Sequence, residues 1–257
     1  IDLDHPKTFN EKIQWLKLYD NLPIKKDLAD KYTVRNYVKD KIGEQYLIPL
    51  LGVWDFFEEI DFSKLPVKFV LKCNHASGTN LLINDKNKLN YTEVKEKFEQ
   101  WMKINYAYCN GFEMHYANIK HKIIAEQMLE SDDGGDLKDY KLFVFNGKVK
   151  LIQVDIDRHH NHRRNLYSPE WKYIPYSILY PTAPEVIISP PKCLEKLISL
   201  AEILGKDFIH VRVDFYICKD KIFFGEMTFA HGSGTENFEP ESFGIEMGSW
   251  MKLPMEG

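Results

Sequence analysis

The stretch "YKLFVFNGKVKLIQVDIDR", residues 140–158, constrains the fold more than any other part of the chain. Apolar residues flank Asn146-Gly147, a dipeptide that readily takes the positive φ angles of a two-residue hairpin turn. Such a turn joins antiparallel neighbours, whereas parallel strands need a long crossover. "LPVKFVLKCNHASGTNLLIND" has the same arrangement of strand, glycine-bearing turn and strand, and so has "HVRVDFYICKDKIFFGEMTF". Strands therefore come as hairpins, not as regular βαβ units. Between them lie amphipathic helices. "KTFNEKIQWLKLYD" has Phe9, Ile13 and Leu16 at helical spacing, with Thr8 or Asn10 as cap. "KKDLADKYTVRNYVKDKIG" reads as one helix ended by Gly43, and "PKCLEKLISLAEILGKD" as one closed by Gly205. "TEVKEKFEQWMKINYAYC" is also helical, while "YLIPLLGVWD" and "HKIIAEQMLE" are short extended segments. This mixture defines an α+β chain.

Composition narrows the class of protein. A length of 257 residues with 44% hydrophobic and 28% charged residues supports a sizeable core. A net charge of -4 argues against a general nucleic-acid binder. Cys73, Cys109, Cys193 and Cys218 are far apart, so neither a zinc-ligand pair nor a disulfide scaffold is expected, and a reducing, intracellular compartment is. No apolar run reaches the length of about 20 residues that a membrane span needs. No signal peptide is read at the opening "IDLDHPKTFNEK", which starts mid-pattern.

Chemistry gathers on the last hairpin. Strand alternation puts His210, Arg212, Asp214 and Tyr216 on one face and Val211, Val213, Phe215 and Ile217 on the other. On the return strand the same rule groups Ile222, Phe224, Glu226 and Thr228. With a turn at "CKDK", Asp214 and Glu226 become neighbours, and like charges side by side destabilise a sheet. A divalent cation removes that repulsion. Magnesium takes hard oxygen ligands, commonly one or two carboxylates with nucleotide phosphates. Arg212 beside them offers a planar fork for a phosphate or acyl phosphate. The alternative is a solvated sheet face with an Arg–Asp pair. Upstream, Lys72 ends an apolar strand before a small loop. It can meet phosphates as a point charge, while the N–H groups around Ser77, Gly78 and Thr79 cradle oxygens; an ordinary hairpin turn is the alternative. No P-loop pattern is present. In "IIAEQMLE" an apolar strand runs into Glu126, Gln127 and Met128. This is a candidate hinge whose backbone can meet an adenine edge and whose Glu130 can meet a ribose, or else a core strand leaving for the surface.

Taken in order, "VLKCNHASGTN", "IIAEQMLE", "VRVDF" and "FGEMTF" resemble the ATP-grasp enzymes. "KTFNEKIQWLKLYD", "LADKYTVRNYVKDKIG", "YLIPLLGVWD", "DYKLFVFNGKVKLI" and "GEMTFAHGSG" resemble the TupA-like branch, associated with teichuronopeptide and surface-polysaccharide assembly. The resemblance implies an ATP-grasp fold: two α+β lobes with ATP held between antiparallel sheets. A helical segment over 1–60 would precede a small lobe over 61–128 with the lid loop and a large lobe over 129–257 with the metal site. It implies a cytoplasmic ATP-dependent ligase that joins a carboxylate to an amine through an acyl phosphate. The substrates would be small-molecule or glycan acids and amines, and the chain would associate with polysaccharide-assembly enzymes.

Residue by residue, the resemblance implies that Lys72 and the loop Ser77, Gly78, Thr79 and Asn80 hold ATP phosphates. Glu126, Gln127 and Met128 frame the adenine and Glu130 the ribose. Asp214 and Glu226 with Thr228 bind Mg2+, with Mn2+ as substitute, and Arg212 and Lys141 serve the acyl phosphate. Thr228 departs from the family pattern, which has Asn there. "DRHHNHRRN" reads as a solvated basic loop or as an anion-binding rim using Asp157, Arg158, His160, Arg163 and Arg164. Its arginines argue against zinc at its histidines. His231 and Ser233 read either as acceptor contacts or as a flexible exit. Two rivals remain open. One is a kinase acting on a sugar or glycan hydroxyl, with Asp157 or His160 as base. The other is a nucleotide-binding module without chemistry.

Overall fold

The computed structural model describes residues 1–109, 111–131, 135, 137–157 and 161–254. The helices are α1 (Phe9–Tyr19), α2 (Ile24–Ala29), α3 (Val34–Lys41), α4 (Tyr91–Trp101), α5 (Leu194–Gly205) and α6 (Glu241–Ser249). The strands are β1 (Leu50–Trp54), β2 (Phe69–Cys73), β3 (Asn80–Ile83), β4 (Ile123–Gln127), β5 (Asp139–Phe145), β6 (Lys148–Ile156), β7 (Arg163–Tyr167), β8 (Tyr173–Ile174), β9 (Ser177–Ile178), β10 (His210–Cys218), β11 (Lys221–Thr228) and β12 (Phe238–Glu239). Two compact units result. The larger holds Ile1–Asn21, Val38–Tyr46 and Glu130–Gly257; the smaller holds Leu22–Tyr37 and Leu47–Leu129. Segment 1–60 is thus shared between them.

The smaller unit is built on a sheet of order β1-β4-β2-β3, antiparallel throughout. One face of β2 presents Phe69, Leu71 and Cys73, which pack with Ile123 and Ala125 of β4 and with Val94 and Phe98 of α4. The other face carries Lys72 and Glu126. Asn90 caps α4 by accepting from the Glu93 N–H at 3.3 Å. The helix expected as one piece around residues 25–43 is two. Asp30 Oδ1 accepts from Tyr32 N at 2.7 Å and from Thr33 N at 3.4 Å. That local turn competes with helix continuation and ends α2.

The larger unit holds a six-stranded sheet of order β11-β10-β5-β6-β7-β8. Asn146 (φ 46°) and Gly147 (φ 78°) make the expected tight turn between β5 and β6; Lys219 (φ 52°) and Asp220 (φ 57°) make its counterpart between β10 and β11. One face of the sheet packs on α5. The opposite face is divided. At one end Phe143, Phe145, Leu151 and Leu166 pack against Phe9, Ile13 and Leu16 of α1 and Phe243 and Met247 of α6. At the other end the same face carries charges. A reciprocal capping box starts α1: Thr8 Oγ1 accepts from Glu11 N at 3.2 Å, and the Glu11 carboxylate accepts from Thr8 N at 2.9 Å.

Two expectations change. Gly205 does not end α5 with a left-handed residue but lies in its last turn, where a Cβ would come 2.7 Å from Val144 Cγ1. Its role is to let the helix close on β5. On β11, simple alternation fails. Asp214 pairs with Glu226 but Phe215 pairs with Phe224, so Gly225 is an extra, bulged residue. Ile222 and Phe224 therefore face the core beside Phe215, while Glu226 and Thr228 face the charges. A Cβ at Gly225 would sit 3.1 Å from the Asp214 carbonyl oxygen and 3.0 Å from the Tyr216 ring. Gly225→Ala is expected to destabilise by about 1–3 kcal/mol through this crowding. Urea unfolding measures it, and an unchanged midpoint would mean that the bulge has room to spare.

Candidate active site

In the smaller unit, antiparallel register sets Lys72 opposite Ile124 and Val70 opposite Glu126, so Lys72 and Glu126 are diagonal neighbours on one face. Lys72 Nζ lies 2.5 Å from Glu126 Oε2, and Arg35 Nη1 lies 3.0 Å from Glu126 Oε1. Arg35 is itself fixed by donating to the Ile48 carbonyl at 2.8 Å. Sequence reasoning missed Arg35, since nothing local marks a helix arginine as the partner of a distant strand. Gln127, just past Glu126, is exposed, and its N–H donates to the Pro49 carbonyl.

The loop after Lys72 is tied down at its base. Asn74 donates to the Lys120 carbonyl at 3.0 Å and accepts from Lys122 N at 2.7 Å, and Lys31 Nζ donates to the Ala76 carbonyl at 2.6 Å. Thr79 is buried and donates to the same carbonyl at 3.3 Å. Ser77, Gly78 and Asn80 are exposed. Gly78 takes φ +71°, and space around its absent Cβ is open. Such a tip can approach an anion closely with its backbone. Beneath it His75 is buried and stacks on His121 with ring centroids 3.5 Å apart. Burial, with His121 adding, pushes His75 down to about 4. The unfolded chain takes up this proton at an ordinary histidine value, so the neutral ring's stabilisation is complete above that value and is lost as pH falls toward about 4. The unfolding midpoint is expected to fall between about pH 7 and about pH 5, and His75→Gln to flatten that slope. An equal slope in the variant would remove His75 as the cause. Cys73 also points into the core, where burial pushes its thiol up to about 12, so it is no nucleophile at neutral pH.

In the larger unit the charged end of the sheet is a connected cluster. Arg212 grips Asp214 with two bonds, Nε to Oδ1 and Nη2 to Oδ2, both 2.7 Å. Its Nη2 also donates to Glu226 Oε1 at 2.8 Å, and Thr228 Oγ1 donates to the same oxygen at 3.3 Å. Lys141, directly opposite Asp214 in the register, ion-pairs with Asp139 and lies 3.4 Å from Asp214 and 3.6 Å from Asp155. Arg164 donates to Asp155 at 2.9 Å and lies 3.7 Å from Glu236. Burial would strip Lys141 of its proton, but Asp139 and Asp214 outweigh it and hold the ammonium charged. Burial dominates at Asp214, which is pushed up to about 6 against the pull of Arg212 and Lys141.

Five carboxylates (Asp139, Asp155, Asp214, Glu226 and Glu236) face three permanent cations here. The excess is two negative charges. Only Glu226 is substantially open, its side chain 35% exposed against 10% for Arg212 and 3% for Asp214. Among the described residues no three Asp, Glu, His or Cys side chains form a ready-made metal cage. Two hard oxygen donors beside a hydroxyl nevertheless suit magnesium, which keeps waters and phosphates among its ligands.

The other expected site residues are dispersed. Arg164 is buried in the cluster, whereas its neighbour Arg163 ion-pairs with Glu185 at the surface. Asp157 accepts from Asn161 N at 3.2 Å. Arg158 and His160 lie outside the described residues. His231 is buried behind Arg212, and Ser233 is tied to α1 by Lys17 and Gln14, so this turn is an anchored one and not a flexible exit. Met128 is half-buried, and Glu130 belongs to the larger unit, where its carbonyl accepts from Cys218 Sγ at 3.1 Å.

Comparison with known proteins gives this arrangement its family. The sequence model described as TupA-like ATPgrasp matches residues 11–252, and the chain belongs to that family. No curated protein sequence matches it. Among solved structures it is similar to D-alanine–D-alanine ligase from Bacillus anthracis (16% identity, TM-score 0.49, covering 79% of this chain and 57% of that one). It is similar also to D-alanine–D-alanine ligase from Helicobacter pylori (14%, 0.49, 95% and 69%). A third is N5-carboxyaminoimidazole synthetase from Staphylococcus aureus (16%, 0.47, 84% and 50%). The chain thus spans between 50% and 69% of the length of these three. No helix among the described residues is long and apolar enough to cross a membrane.

Proposed function

We propose that this chain is an ATP-dependent ligase that activates a carboxylate as an acyl phosphate and joins it to an amine. The observation that carries the reading is the direct pairing of Asp214 with Glu226 under the fork of Arg212, in a cluster two positive charges short of neutrality. Membership in an ATP-grasp family supports it. In this reading Lys72 and the N–H groups of Ser77 and Gly78, with Thr79 and Asn80 beside them, hold ATP phosphates. Residues Glu126 to Met128 border the adenine, and Glu130 the ribose. Asp214 and Glu226, steadied by Thr228, hold Mg2+ or Mn2+, which neutralises charge on the transferring phosphoryl group when bound. Arg212 and Lys141 supply fixed positive charge where the acyl phosphate forms. No protein nucleophile is required, because positioning and electrostatics suffice for phosphoryl transfer. Arg163 and Asp157 border the side from which the acid arrives. The acid is a sugar acid or glycan carboxylate and the amine an amino acid, in the cytoplasmic stage of surface-polysaccharide assembly.

The test is a screen of sugar acids against amino acids, reading ADP and free phosphate with magnesium present. The proposal expects both products only when acid and amine are supplied together. A stable phosphorylated acceptor without free phosphate would mean a kinase. ATP binding with no turnover under any acceptor would mean a non-catalytic module.

A further inference from the structure

Arg212 is held from two sides. Two of its nitrogens engage Asp214 and Glu226, and the third, Nη1, lies 2.7 Å from His231 Nδ1. A guanidinium nitrogen can only donate, so Nδ1 must present its lone pair. The imidazole is then neutral with its proton on Nε2. Burial of the ring favours the same neutral form. Nε2 lies 2.8 Å from Glu236 Oε2, an ion-pair distance without the alignment of a hydrogen bond.

The turn between them explains how Glu236 arrives there. Gly232 (φ 55°), Ser233 (φ 52°) and Gly234 (φ 68°) are consecutive left-handed residues. Such a run reverses the chain within a few residues, and at Ser233 it is strained, since a non-glycine residue seldom adopts it. A Cβ at Gly232 would come 2.2 Å from Glu236 Cγ, so the Glu236 side chain occupies the space that any other residue at 232 would claim. Lys17 Nζ and Gln14 Nε2 each donate to the Ser233 carbonyl at 2.9 Å and pin the turn to α1. The strained turn thus delivers a carboxylate to the far nitrogen of a histidine whose near nitrogen anchors Arg212.

We propose that His231 and Glu236 are positioning residues for Arg212: the Glu236 carboxylate beside Nε2 favours a proton on that nitrogen, and His231 Nδ1 then holds the guanidinium plane at the Asp214–Glu226 pair. The catalytic consequence rests on the ligase reading above; the anchoring does not. An arginine held by a neutral acceptor keeps its place when the carboxylates beside it turn to another cation. One held only by those carboxylates does not.

Nitrogen-15 NMR of the full chain, labelled at histidine and arginine, tests the anchor without any substrate. The expected spectrum has His231 Nδ1 unprotonated, Nε2 protonated, and an Arg212 Nη1 proton protected from exchange. His231→Leu and Glu236→Leu should each lose that protected proton. They should lower kcat at least tenfold and leave KM for ATP within twofold. Glu236→Gln, whose amide oxygen still presents a negative dipole to the same imidazole nitrogen, should restore both the signal and most of the turnover. The proposal is overturned if both leucine variants keep the protected Arg212 Nη1 proton. It is equally overturned if they lower only the unfolding midpoint and leave kcat per folded molecule unchanged. If the wild-type chain turns over no ATP under any acid–amine pair, the ligase reading fails, and the NMR arm still decides the anchor.

Discussion

Asp214→Asn is expected to lower ADP formation roughly a hundred- to a thousandfold, the scale seen when one preorganised electrostatic group is removed from a charge-stabilising site. The substitution keeps the shape of the side chain, and its amide oxygen still accepts from Arg212, so the fold should survive. It also removes one charge from a cluster that carries a negative excess. The wild-type activity should itself fall as pH drops below about 6, because burial raises the Asp214 carboxyl to that value and a protonated carboxyl is a poor cation ligand. The sign is fixed by the direction of the shift: the charged form is present above about 6 and lost below it. The variant should show no such fall. Turnover by Asp214→Asn at the wild-type rate would remove Asp214 from the chemistry.

Arg212→Met should have the largest effect on stability. It leaves Asp214 and Glu226 directly opposed across adjacent strands, with Lys141 3.4 Å from Asp214 as the remaining cation. Removing one partner of a buried ion pair costs about 3–5 kcal/mol, because a charge is left in the interior without compensation. Without Arg212, the Asp214 carboxyl rises further above its unfolded value. The folded variant then binds more protons than the unfolded chain, so acid should stabilise it relative to wild type. Urea unfolding at about pH 7.5 and about pH 5.5 reads both effects. A loss that is the same at both values would point to lost packing instead of uncompensated charge.

Much of this site was legible because its parts are local. A two-residue turn after Cys218 leaves little choice of register near the turn, so Asp214 and Glu226 are readable as close on adjacent strands, but their direct pairing takes the bulge at Gly225. Asn146-Gly147 fixes the β5–β6 hairpin for the same reason. Lys72 at the end of an apolar strand was equally readable. What escaped depends on distant segments or on unusual backbone. Asp155 lies far from Asp214 in sequence, and only the strand order β10-β5-β6 gathers it there; Lys141 is reached through the family resemblance and not from spacing. Arg35 reaches Glu126 from a helix, and Glu236 reaches His231 through three left-handed residues in succession. The Gly225 bulge breaks the alternation rule and is what permits Ile222 and Phe224 to face the core while Glu226 faces Asp214. The helix break at Asp30 follows from one side chain accepting the N–H groups just ahead of it, a competition that hydrophobic spacing does not register.

In the function proposed, Asp214 and Glu226 hold a divalent cation together with the nucleotide. Calorimetric titration with a non-hydrolysable ATP analogue, once with magnesium and once with a chelator, tests it most directly. Binding should be one-to-one and weaken at least tenfold, about 1.4 kcal/mol, when magnesium is withdrawn, and that difference should vanish in Asp214→Asn. Equal affinity with and without magnesium in the wild-type chain would contradict it.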